Sequence, residues 1–158
     1  MILCRQQYFC KGNVFQIVLD IVRFGFSDKA LAEVAFSIRK RVFVVEQHVD
    51  PALEYDHEES CHFYLLYESG NPVGTGRWRE TEKGIKLERF AVLPECRNKQ
   101  LGSRLLEAVM EDIVPLGKKI YLHSQLKAIP FYERKGFVKK GNMFTEAGIE
   151  HYRMEYEG

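Results

Sequence analysis

Residues 87–106, Leu87-Glu88-Arg89-Phe90-Ala91-Val92-Leu93-Pro94-Glu95-Cys96-Arg97-Asn98-Lys99-Gln100-Leu101-Gly102-Ser103-Arg104-Leu105-Leu106, decide how the rest of the chain is read. An apolar run of strand character enters a polar, basic turn, and an amphipathic helix leaves it. The first amides of a helix have no carbonyl ahead of them, and the helix dipole puts partial positive charge at the same point. Arg97, Lys99 and Arg104 add full charges around those amides. Together these groups favour a phosphate or pyrophosphate.

Upstream of the turn, Val14 to Gly25 contains alternating apolar positions and includes the first expected strand; the residues before it carry no assignment. Ser27 is the expected cap of a helix with apolar positions at Leu31, Val34, Ala35, Ile38 and Val42. Phe43-Val44-Val45 extends it, and Asp50-Pro51 breaks it. Three antiparallel strands follow, His62 to Glu68, Val73 to Arg79 and Ile85 to Leu93, divided by Ser69-Gly70-Asn71-Pro72 and Lys83-Gly84. The helix after the basic turn presents Leu101, Leu105, Val109, Met110 and Ile113, and Pro115-Leu116-Gly117 ends it. A strand Lys119 to His123, a helix Ala128 to Lys135 capped at Gly136, and two strands around Phe137 to Lys140 and His151 to Tyr156 complete the order. The last two read as a hairpin with a long tip. The fold class is α/β with a mixed sheet and one β-helix-β crossover.

The chain has 158 residues, 46% of them hydrophobic, which suits one domain spanning residues 1–158 with 1–13 as an unassigned extension. A formal charge of +1 supplies no global attraction to nucleic acid or an anionic membrane. No apolar run approaches the roughly 20 residues of a spanning helix, and Met1 to Cys10 does not read as a signal peptide. Cys4, Cys10, Cys61 and Cys96 form no CxxC pair and no metal-ligand spacing with histidine, so reduced thiols, a cytoplasmic location and no metal are expected.

Three local patterns, in this order of elements, resemble the GCN5-related N-acetyltransferases. Arg97-x-x-Gln100-x-Gly102 is similar to that family's pyrophosphate loop. Gln125-Leu126-Lys127-Ala128-Ile129-Pro130-Phe131-Tyr132-Glu133-Arg134-Lys135-Gly136-Phe137 resembles its Asn-x-x-Ala-x-x-x-Tyr-x-x-x-Gly-Phe segment. Val42-Phe43-Val44-Val45-Glu46-Gln47, Gly74-Thr75-Gly76-Arg77-Trp78-Arg79 and Glu146-Ala147-Gly148-Ile149-Glu150-His151 look like its ElaA/YjcF-like branch. The resemblance covers about Val22 to Tyr156. It implies a central mixed sheet flanked by helices with a splayed strand pair, and transfer of an acetyl group from acetyl-CoA to an amine by direct attack in a ternary complex.

Carried onto this sequence, the resemblance assigns the diphosphate to the amides of Arg97, Asn98, Lys99, Gln100, Leu101, Gly102 and Ser103, with Gly102 allowing close approach. Gln100 stands where the family has glycine; if the position takes positive φ, glutamine costs about 1 kcal/mol or more there. Phe90, Ala91 and Val92 match the strand that pairs with the pantetheine arm, and the Val92 amide matches an oxyanion donor. Gln125 takes the place of an asparagine that bonds the pantetheine amide. Tyr132 matches the general acid, and Glu88 matches the base; ion pairing of Glu88 with Arg77, Arg79 or Arg89 is the alternative. Glu46 and His48 are runners-up for the base.

Of His62, His123 and His151, all read as structural, His123 has most claim to function because it ends a strand of the cofactor cleft. The acidic run Glu54 to Glu59 reads as a solvated loop or a lure for a cationic acceptor, and Trp78 as core in preference to the floor of the acceptor pocket. The acceptor is an amine on a small molecule or peptide, and the sheet edge is a candidate homodimer surface. The competing functional reading is a non-catalytic acyl-CoA-binding or sensing module of the same fold.

Overall fold

In the computed structural model, which describes residues 3–7 and 18–158, eight strands form one sheet: β1 (Leu3–Gln7), β2 (Val18–Gly25), β3 (His62–Glu68), β4 (Asn71–Thr81), β5 (Gly84–Val92), β6 (Ile120–Gln125), β7 (Phe137–Glu146) and β8 (Ile149–Tyr156). Their spatial order is β1-β2-β3-β4-β5-β6-β8-β7. Every neighbouring pair is antiparallel except β5 and β6, which the helix between them forces to run parallel. The expected first strand begins at Val18; Val14 to Ile17 lie outside the described residues.

Helix α1 (Lys29–Arg39) starts one residue later than the Ser27 cap implies, because Asp28 accepts from the Leu31 amide at 3.2 Å. Beyond Arg39 the chain winds on into a wider, π-helical segment, Lys40–Glu46, with the Gln47 amide bonded back to the Val42 carbonyl. Helix α2 (Leu101–Ile113) buries Leu105, Val109 and Ile113, as its periodicity predicts. The two helices cover opposite faces of the sheet. Phe63 on β3 stacks with Phe26, which meets Phe36 of α1, whereas its neighbour Tyr64 bonds Asp112 of α2 at 2.6 Å. Leu65, Leu66, Ile85, Leu106 and Met154 fill the core.

Helix α3 (Ile129–Glu133) is shorter than the sequence suggests, since a 3₁₀ turn occupies Leu126–Ala128. Gly136 follows it at φ +84, as a left-handed cap. The final hairpin differs most from expectation. Its tip is short: Glu146 pairs with Ile149 across Ala147 and Gly148, both at positive φ. An irregularity between Lys140 and Phe144 separates its two ladder segments.

Candidate active site

β5 and β6 share three rungs, Ile85↔Ile120, Lys86↔Tyr121 and Leu87↔Leu122, and then part. A bulge in β5 accompanies the divergence. Arg77 on β4 faces Glu88 and Thr75 faces Ala91, so Gly76 opposes two residues, Arg89 and Phe90. Arg89 sits at φ +56, and a bulge of this kind bends its strand. Gly76 leaves room for the result, because a Cβ there would lie 3.0 Å from the Phe90 ring. On the other side, β6 follows β8 as far as Gln125↔His151. The space between is a cleft of about 600 Å³, lined by Phe90, Ala91 and Val92 from β5, His123 and Gln125 from β6, and Tyr132 from α3. The Leu93 amide bonds Val73 on β4, so strand alternation turns the Val92 amide toward the opening.

The basic turn closes one end. Asn98 and Gln100 both take left-handed conformations, at φ +64 and +60, so the position where glutamine departs from the resembled pattern does need positive φ. The first helical bond runs from the Arg104 amide to the Gln100 carbonyl at 3.1 Å. The amides of Leu101, Gly102 and Ser103 come before it and have no helical carbonyl to bond. The Leu101 side chain is core, so only its backbone is available to a ligand. At Gly102 an added Cβ would touch nothing nearer than 3.9 Å, so the fold itself does not demand glycine there. The side-chain cations of the turn are already paired. Arg97 grips Glu46 with both terminal nitrogens at 2.7 and 2.6 Å and donates to the Val92 carbonyl, and Lys99 meets Glu68 at 3.1 Å. Glu46, a runner-up base, is thereby held below the usual carboxylate range by its hydrogen bonds from Arg97.

Glu88 lies on the cleft wall but is buried among cations. Its oxygens meet Arg77 at 3.0 Å, Arg79 at 3.2 Å and Lys86 at 2.9 Å. Burial by itself would raise its carboxyl, yet Lys86, Arg77 and Arg79 outweigh burial and hold it at about 2. A carboxylate so stabilised is a poor proton acceptor. The ion-pair alternative, with Arg77 and Arg79 but not Arg89, describes its contacts. Tyr132 packs edge-on against Phe131 and Phe137, and burial pushes its phenol well above the ordinary range. Gln125 donates to Gln47 at 2.7 Å, a link across the cleft that no spacing in the sequence signals. His123 Nδ1 lies 3.0 Å from Glu146, and burial of the His151 ring is accompanied by an Nδ1 bond to the Ile149 carbonyl.

Within the acidic run Glu54 and Glu58 turn inward while Asp56 and Glu59 stay exposed, so the run is a solvated loop only in part. Glu54 pairs with Arg39 and Arg89, Glu58 with Arg39 and Arg77, and Asp56 with Arg77 and Arg89. Arg39 and Arg77 are each 1% exposed, so these carboxylates are the counterions of buried guanidiniums. Trp78 is core, bonded to the Tyr64 hydroxyl and stacked on His62. Cys61 and Cys96 are free and buried, and burial raises the Cys61 thiol to about 11. Among the described residues no helix is long and apolar enough to cross a membrane, and no cluster of three or more His, Cys, Asp or Glu is arranged to hold a metal.

Comparisons with known proteins fit this architecture. The chain is 36% identical over 123 residues to the uncharacterised N-acetyltransferase YjcF of Bacillus subtilis, covering 76% of this chain and 88% of YjcF. The crystal structure of Escherichia coli ElaA superimposes with a TM-score of 0.79 at 21% identity, over 88% of this chain and 99% of ElaA. The PaiA N-acetyltransferase of Thermoplasma acidophilum, crystallised with coenzyme A, does so with a TM-score of 0.65 at 17% identity, over 89% of this chain and 99% of PaiA. Residues 25–158 match the family model described as an acetyltransferase (GNAT) domain, and the chain belongs to that family.

Proposed function

We propose that the protein is an N-acyltransferase that moves an acetyl group from acetyl-CoA to the amine of a small molecule or peptide, by direct attack within a ternary complex. The observation that carries this reading is the parting of β5 and β6 beside a helix start whose first amides are unpaired. The spare volume at Gly102 adds support, because a residue that the fold does not require is explained by something that must come close.

Acetyl-CoA supplies the activated acyl group. The amides from Arg97 to Ser103 hold the diphosphate. Phe90, Ala91 and Val92 offer backbone to the pantetheine arm as an added strand, and the Val92 amide stabilises charge developing on the thioester oxygen. Gln125 exchanges its bond with Gln47 for one to a pantetheine amide. Tyr132, protonated at neutral pH as an ordinary phenol is, donates to the departing thiolate. Glu88 we assign to holding Arg77, Arg79 and Lys86 at the acceptor end rather than to taking the proton.

Two measurements test the reading. Titration with acetyl-CoA should show binding, and its absence at several hundred micromolar overturns the assignment. Thiol release in the presence of polyamines, amino acids and aminoglycosides should then find an acceptor. Binding without turnover on any amine points instead to an acyl-CoA-sensing module, the reading that the strained Gln100 favours.

A further inference from the structure

Glu88 and His123 are the residues that follow the last shared rung, Leu87↔Leu122, so they flank the point where β5 and β6 separate. Strand alternation puts them on the same face as the Lys86↔Tyr121 pair, the face on which Arg77 meets Glu88. What holds each of them differs. Three cations surround Glu88, whereas His123 has one carboxylate partner, Glu146, through Nδ1 at 3.0 Å.

An ionised carboxylate can only accept, so Nδ1 carries the proton and Nε2 keeps its lone pair. The hydrogen bond from His123 lowers the Glu146 carboxyl against the effect of partial burial, which keeps it ionised. No described group bonds Nε2. Phe144 meets the imidazole edge-on at 4.8 Å and limits its rotation. His123 and Glu146 both line the cleft. A ring with one nitrogen oriented by a carboxylate and the other free is the arrangement that lets an imidazole take a proton.

We infer that His123 is the catalytic base of the transfer and Glu146 the residue that positions it, an assignment that rests on the acyltransferase reading above. Nε2 takes a proton from the acceptor nitrogen as that nitrogen bonds the acyl carbon. The carbon–sulfur bond breaks, and the sulfur receives the Tyr132 proton. Nδ1–H stays bonded to Glu146, whose charge stabilises the imidazolium until Nε2 returns its proton to solvent and Tyr132 recovers one. The charged and titratable groups around the ring are Lys86 and Glu88 from β5, Tyr121 on β6, Glu146 from β7, and His151 and Arg153 from β8. Arg153 is bound to Glu155 and lies over the Tyr121 ring, so Glu146 is the charge that contacts the imidazole.

The test uses the full chain with acetyl-CoA and the amine panel named above. His123→Gln should lower kcat/KM for the acceptor at least about 100-fold near neutral pH and leave the acetyl-CoA Kd within about two-fold. Its rate should keep climbing at high pH, where the amine sheds its own proton. Glu146→Gln should cut kcat about 10-fold and leave the acetyl-CoA Kd within about two-fold, because the imidazolium loses its counterion. Nitrogen-15 NMR of the free protein supplies a reading independent of turnover: the uncharged His123 ring should carry its proton on Nδ1, and Glu146→Ala should remove that preference. If wild type acylates an amine and His123→Gln does so equally fast with the same pH profile, the base assignment is wrong and the transferase reading stands. If acetyl-CoA binds and no amine is acylated, the transferase reading falls and takes the base with it.

Discussion

At the scale of single residues, Gln100 concentrates the tension between sequence and geometry. It is a side-chain-bearing residue at φ +60 on which the first bond of α2 depends. Glycine tolerates that conformation without steric cost, so Gln100→Gly should raise stability by about 1 kcal/mol, read as a rise in Tm of roughly 2–4 °C. Because the diphosphate contacts are assigned to backbone, the acetyl-CoA Kd should stay equal or tighten, and weaker binding would show that the glutamine side chain itself takes part. Tyr132 makes the opposite kind of prediction. Tyr132→Phe keeps the ring contacts with Phe131 and Phe137, so cofactor affinity should hold while turnover falls on the order of 100-fold. An unchanged turnover would remove its acid role.

Residues of this kind were readable because the family resemblance names them: a loop position where relatives carry glycine, a tyrosine in a matched segment. Contacts between distant segments were not. Glu146 is 23 residues from His123 and meets it through the register of the β7–β8 hairpin. A hairpin read with a long tip, ending its first strand at Lys140, hides that pair. The acidic run posed a similar problem, since Glu54 and Glu58 look solvated until Arg39, buried at the end of α1, pairs with them.

Among the elements, the parallel seam between β5 and β6 is the shortest pairing in the sheet and the one that shapes the cleft. It begins at a constrained point: Gly84 takes φ +120, and a Cβ there would come 2.2 Å from the Lys119 carbonyl, which the next amide, Ile85, bonds at 2.8 Å. Gly84→Ala should therefore cost about 2–3 kcal/mol, measured by urea denaturation, and also weaken acetyl-CoA binding because the seam sets the angle of the gap. A variant as stable as wild type would show that the seam yields. Farther along β5, Glu88 links the strand to cations of β4 and to Lys86. Its pKa is depressed in the folded state, so its contribution is present above the unfolded value near 4.5 and is lost as pH falls toward about 2. That contribution is on the order of 3 kcal/mol at neutral pH. Glu88→Gln should be the less stable protein at pH 7, and the difference should narrow as pH drops below 4.5. A gap independent of pH would mean that the carboxylate charge contributes nothing.

Over the whole molecule, the order of elements from β2 onward was legible because each strand has its own period and each turn its own chemistry; His62–Glu68 begins and ends where the sequence reading puts it. β1 was not legible. Leu3–Gln7 has no alternation that marks it, and it is a strand because β2 offers an open edge to pair with. The π-helical segment after α1 escaped for a related reason: local propensity there says only helix. Yet the end of that segment and the residue after it reach both sides of the cleft, through Glu46 to Arg97 and Gln47 to Gln125.

The gap between β5 and β6 also behaves as a clock. An amide in the middle of a sheet ordinarily exchanges its hydrogen with solvent only when the structure opens, yet the Val92 amide faces an edge with no neighbouring strand. In the free protein it should exchange far faster than the Leu93 amide beside it, which is bonded to Val73. Acetyl-CoA should slow Val92 selectively, so two adjacent residues on one strand would report occupancy as the ratio of their exchange rates.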